Sequence, residues 1–126
     1  MEKCNSLKIK HFKGVLMRDE LKGKASKNES IILNMDDSSG SGLHWVCLHV
    51  RQGKCFYFDS FSFPPPLEVL QYCSDIDQDC RFYNTFRIQQ PHEVICGHYS
   101  IYVIYQLNKG MLYSDILNEL YQRNNS

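Results

Sequence analysis

Apolar and polar positions along the chain change period several times, and each change marks an element. Gly14-Val15-Leu16-Met17 and Ser30-Ile31-Ile32-Leu33-Asn34-Met35 are short β-rich runs, joined by a polar Lys-rich stretch from Lys22 to Glu29. Asp36-Asp37-Ser38-Ser39-Gly40-Ser41-Gly42 reads as a loop, since Asp and Ser bond back to their own backbone and Gly accepts positive φ. The runs Trp45 to Arg51 and Lys54 to Asp59 flank Gln52-Gly53, the pattern of a hairpin. Pro64-Pro65-Pro66 stops any strand, and proline suits the first turn of a short helix over Leu67 to Tyr72. Arg81 to Ile88 is strand-like again. From Cys96 to Leu107 the chain is apolar almost all round, which predicts a buried central helix, with Gly110 placed for a left-handed cap. Ser114 is placed to cap a closing amphipathic helix whose inner face holds Ile116, Leu117, Leu120 and Tyr121.

The 126 residues suit one domain, 1–126, able to bury roughly two-thirds of the surface of its unfolded chain. Hydrophobic residues make up 43%, which excludes a disordered tail. Net charge is zero but unevenly spread: residues 1–27 hold eight Lys/Arg against three acids, and 67–126 hold four against seven. The basic amino-terminal arm reads first as solvated surface, with nucleic acid or an acidic partner as the alternative.

The six cysteines follow no apolar leader, and no apolar run is long enough to span a membrane. Free thiols in a reducing, intracellular compartment are therefore expected, with no membrane partner. No CxxC pair occurs, and Cys73, Cys80 and His92 do not form a zinc spacing. Asp75-Ile76-Asp77-Gln78-Asp79 starts like a calcium loop but has Cys80 where the sixth-place Gly belongs and Phe86 where the twelfth-place Glu belongs. No metal or cofactor is expected.

One ordered set carries chemistry: His44-Trp45, Asp59, Gln90-Pro91 and Cys96-Gly97. A thiol attacks as thiolate, and the amino end of a helix supplies unpaired N–H groups and a positive dipole that favour it. Cys96 is placed to use them, and Gly97 lets a substrate approach the backbone. His44 begins a strand and can serve as base; His92, in the loop before Cys96, is its rival. Asp59 ends the paired strand, where it can hold the second imidazole nitrogen; Asp36 and Asp37 are alternates. Gln90, or its neighbour Gln89, can donate to an oxyanion together with the Cys96 backbone N–H. Trp45 is either core or the wall of a substrate cleft. A different wiring, with Cys47 as nucleophile and His92 as base, lacks helix-terminus activation because Cys47 sits mid-strand.

The pieces Gly42-Leu43-His44-Trp45, Tyr57-Phe58-Asp59-Ser60-Phe61 and Gln90-Pro91-His92-Glu93-Val94-Ile95-Cys96-Gly97-His98-Tyr99 resemble, in that order, the adenovirus-type cysteine proteases and the related Ulp/sentrin-specific SUMO proteases. With Phe12-Lys13-Gly14-Val15 and Arg18-Asp19-Glu20-Leu21, the chain looks most like the short adenovirus-type proteases of Polinton-like elements and related viruses. The resemblance implies an α+β papain-like core, an antiparallel or mixed sheet packed against the helix that carries the nucleophile. It implies Cys96 as nucleophile, His44 as base, Asp59 as orienting acid and Gln90 as oxyanion donor, although the adenovirus spacing would select Gln89. It also implies a thiol endopeptidase cleaving after small, Gly-type residues beside Trp45, and maturing proteins of a virus or mobile element. Removal of a ubiquitin-like modifier is the alternative in the same chemistry, and an inactive binding relative the alternative outside it. Expected partners are a polypeptide substrate and, through the basic arm, an activating peptide or DNA. The expected state is a monomer in the host cytoplasm or nucleus, packaged in virions.

Overall fold

The computed structural model describes residues 11–35, 44–76, 82–85 and 96–124, and within the helices and strands the side chains of Phe82, Cys96, His98 and Asn124 are outside that description. Five strands form one mixed sheet in sequence order: β1 (Phe12–Met17), β2 (Glu29–Asn34), β3 (Trp45–Arg51), β4 (Lys54–Phe58) and β5 (Phe82–Tyr83). β2, β3 and β4 pair antiparallel; β1 joins β2, and β5 joins β4, in parallel. The helices are α1 (Leu67–Cys73), α2 (Cys96–Asn108) and α3 (Tyr113–Asn124), and a single 3-10 turn spans Arg18–Glu20. No helix among the described residues is long and apolar enough to cross a membrane.

The sheet lies between two layers, because its inner strands are apolar on both faces. Ile32, Cys47 and Phe58 point to α2 and α3 and meet Ile101, Ile104 and Ile116. Ile31, Val46, Leu48 and Tyr57 point the other way, to α1 and the segment after β1, against Leu21, Val69 and Tyr72. On that second side, buried Glu29 accepts a hydrogen bond from the Tyr72 hydroxyl, and Lys13 Nζ donates to the same hydroxyl at 2.8 Å and lies 4.0 Å from Glu29. A buried carboxylate persists only with such partners.

The hairpin turns on Gln52 and Gly53, both with positive φ (54° and 75°), as two-residue primed turns require. A break in the β1–β2 register between Phe12 and Gly14 falls where Gly14 adopts φ 132°.

Three readings of the sequence need correction. The last helix begins at Tyr113, so Ser114 lies inside it and does not cap it. Tyr113 makes the anchor: its ring lies 5.4 Å from that of Phe56, and its hydroxyl donates to the Tyr57 carbonyl. Ile116, Leu117 and Leu120 are buried as expected, but Tyr121 is 45% exposed, because a further helical step carries it past the edge of the apolar stripe. The strand expected over 81–88 is described only at 82–85, where it covers Phe82–Tyr83 and ends before Asn84. Asn84 leaves the sheet to bond elsewhere.

A polar chain, buried at Ser30 and His49 and half-buried at Arg51 and Asn108, ties α2 to the sheet. Arg51 Nη2 donates to Asn108 Oδ1 (3.0 Å), Asn108 Nδ2 donates to Ser30 Oγ (3.1 Å), and Ser30 Oγ meets His49 Nδ1 at 2.8 Å. Burial, aided by the Arg51 charge, lowers the His49 pKa to about 4. The unfolded chain therefore binds a proton near pH 6.5 that the folded chain refuses until about pH 4, and stability falls as pH drops through that window. In urea unfolding this group should cost about 2 kcal/mol between pH 7 and pH 5. His49→Gln should flatten the profile by that amount; an unchanged slope would refute the assignment.

Candidate active site

The mouth of the β3–β4 hairpin brings His44 and Asp59 together. Cys47 pairs with Phe58, so in continued register Asp59, just after β4, lies opposite Val46, and His44, just before β3, is its diagonal neighbour. His44 Nε2 lies 2.9 Å from Asp59 Oδ1, with side-chain exposures of 23% and 1%. A carboxylate only accepts, so Nε2 carries the hydrogen and Nδ1 is the basic nitrogen of the neutral ring. The Phe61 ring lies 4.9 Å from the imidazole, tilted by 37°, and walls one side of it.

Asp59 is held through its Oδ1, its backbone N–H and its carbonyl. Its Oδ1 also accepts from Phe61 N–H at 2.8 Å, an Asx turn, and its carbonyl accepts from Ser62 N–H at 2.8 Å. Asn84, only 1% exposed, closes a reciprocal pair: Asp59 N–H donates to its Oδ1 (3.1 Å), and its Nδ2 donates to the Asp59 carbonyl (2.6 Å). Neither Asn84 nor Phe61 stood out in the sequence. Asn84 falls mid-run in the strand expected over 81–88, and no spacing ties it to an acid 25 positions earlier.

Cys96 opens α2, as expected of a thiol placed at a helix amino terminus. One turn later, Ser100 Oγ donates to the Trp45 carbonyl at 3.4 Å, which holds the start of α2 against the start of β3, beside His44. Gly97 lies in the same first turn, and Trp45 is half-buried and packs on the α2 side of the core. Gln90 and Gln89, with His92, Asp36 and Asp37, lie outside the described residues, as does the Cys96 side chain. His49 sits farther along β3, under the end of α2, and serves the polar chain there. Cys47 is fully buried in the core beneath α2, where no substrate reaches it, so the wiring built on it fails.

The fold is that of a papain-like cysteine protease core, α+β with a mixed sheet. It matches the crystal structure of the African swine fever virus pS273R protease with a TM-score of 0.52 and 22% identity, over 78% of this chain and 42% of that one. In sequence the chain is homologous to the SUMO-1 cysteine protease S273R of African swine fever virus (isolate Pig/Kenya/KEN-50/1950), 30% identical over 112 residues. That match takes in 76% of this chain and 41% of the relative. The cysteine protease S273R of the Badajoz 1971 Vero-adapted strain is 29% identical, with the same coverage. The chain thus spans about two-fifths of the length of these relatives. No family model matches it.

Asn84→Ala should lower stability by about 1–3 kcal/mol in urea unfolding, the cost of taking its acceptor from the buried Asp59 N–H, since the Asp59 carbonyl keeps the Ser62 N–H. An unaltered unfolding midpoint would show that the clamp carries no load.

Proposed function

We propose that this chain is a thiol endopeptidase, with Cys96 as nucleophile, His44 as base, Asp59 as orienting acid and Gln90 as oxyanion donor. The observation that carries the reading is the His44–Asp59 pair at the hairpin mouth, next to the start of the helix that Cys96 opens. The homology to a viral cysteine protease supports it.

In this mechanism the Cys96 thiol, whose unperturbed pKa is about 8.5, gives its proton to His44 Nδ1. The charge that builds on the ring is balanced by Asp59 through Nε2–H. The thiolate attacks the scissile carbonyl carbon, and the carbonyl π pair moves onto oxygen. Gln90 and the Cys96 backbone N–H donate to that oxyanion, a type of contact worth roughly 3–4 kcal/mol. Collapse breaks the C–N bond, and the amine leaves with the proton from Nδ1. His44 then deprotonates water, the hydroxide attacks the thioester, and the C–S bond breaks to release acid and return the thiol.

The substrate in this reading is a polypeptide cut after small, Gly-type residues, as the resemblance to the adenovirus-type and SUMO proteases implies. The role is maturation of proteins of a virus or mobile element of the adenovirus-protease type, in host cytoplasm or nucleus and within virions. The enzyme acts as a monomer, and an activating peptide or DNA at the basic arm is the regulator to test. A second reading, removal of a ubiquitin-like modifier, is favoured by the relative's designation as a SUMO-1 cysteine protease.

On fluorogenic Gly-Gly peptides, Cys96→Ala should abolish turnover while leaving the circular dichroism and melting of the fold unchanged. Turnover retained by that variant would end the proposal. His44→Ala should lower kcat by roughly 10²–10⁴. Release of SUMO from a conjugate faster than cleavage of the free peptides would select the deconjugating reading over the maturation one.

A further inference from the structure

A cleft of about 620 Å³ lies between the β3–β4 turn and the corner joining α2 to α3, within the size range of ligand sites. It sits at the far end of β3 from His44, roughly 20 Å along the strand. We propose that this cleft docks an acidic polypeptide segment that carries a bulky apolar side chain. The proposal goes beyond the proteolytic reading and does not rest on it.

Two properties of the lining select that occupant. The floor and one lip are apolar: Leu107, Leu117 and Phe56 lie below, while Leu112 is 67% exposed and Met111 and Tyr83 are each 37% exposed at the rim. Clustered at one rim, these large side chains offer an apolar surface that a peptide side chain can cover. The other lip is cationic. Arg51 and Lys54 line it, and no carboxylate is among the described lining residues. The Arg51 guanidinium is held in place by Asn108, and its buried Nε finds no acceptor among the described residues. A tethered guanidinium gives up little freedom on meeting a carboxylate. His49 adds no charge near neutral pH, since its pKa is lowered to about 4. Nucleic acid would satisfy the cations but offers no aliphatic group for Leu112 and Leu117; an acidic peptide with Phe or Leu at its centre satisfies both lips.

The test is fluorescence anisotropy of the full chain with fluorescein-labelled, amidated Asp-Glu-Phe-Leu-Glu-Asp, which contains no glycine to cut. Saturable binding is expected, about tenfold tighter than for Asn-Gln-Phe-Leu-Gln-Asn with the same label. Lys54→Glu and Leu112→Asp, both at exposed positions, should each weaken the acidic peptide about tenfold without changing the melting temperature. Equal binding of the neutral peptide, indifference to both substitutions, or no binding at about 1 mM would overturn the proposal. So would sedimentation showing a dimer that Leu112→Asp dissociates, because the occupant would then be a second copy.

Discussion

The candidate site depends on the register of one hairpin. With Gln52 and Gly53 fixed in a two-residue turn, Arg51 must face Lys54, Val50 must face Cys55, and so on to Cys47 and Phe58. Continued one step, this pairing sets Asp59 opposite Val46, where the diagonal neighbour His44 reaches it at hydrogen-bond distance. A slip of one residue would turn every side chain of β4 to the opposite face. Cys55 and Tyr57 would then exchange places with Phe56 and Phe58, and both apolar layers would be spoiled. Core packing and the geometry of the His44–Asp59 pair are therefore set by the same constraint.

The two ends of β3 do different work. At one end the strand meets the first turn of α2 through Trp45 and Ser100. At the other it meets the last turn of α2 through the chain of Arg51, Asn108, Ser30 and His49. The helix is thus pinned to the sheet by polar bonds at both ends and by Ile101 and Ile104 between them. Hydrophobic burial alone is non-directional and would let a helix slide on a sheet. Bonds at both ends fix where its first residue stands.

Much of this was legible in the sequence. The hairpin, the short helix after the prolines and the apolar helix from Cys96 all follow from period and punctuation, and His44 and Asp59 meet as their placement at strand ends implied. What escaped was contact between distant parts. The parallel pairing of β1 with β2 has no local signal, because alternation is the same in either direction. Asn84 reads as a strand residue because its partner, the backbone of Asp59, is visible only once β5 lies beside β4. Ser114 suits a cap by type, yet the buried Tyr113 decides where the helix starts.

The sheet's mixed pairing also bears on the order of assembly. β2, β3 and β4 form a meander, and its β3–β4 hairpin closes over a two-residue turn. Both outer strands need long connections before they can dock, and closing a long loop costs chain entropy before any contact repays it. Asn84 reaches Asp59 only when β5 has arrived. Asp59 thus acquires its backbone clamp late, so a half-folded chain would hold His44 only loosely at the hairpin mouth.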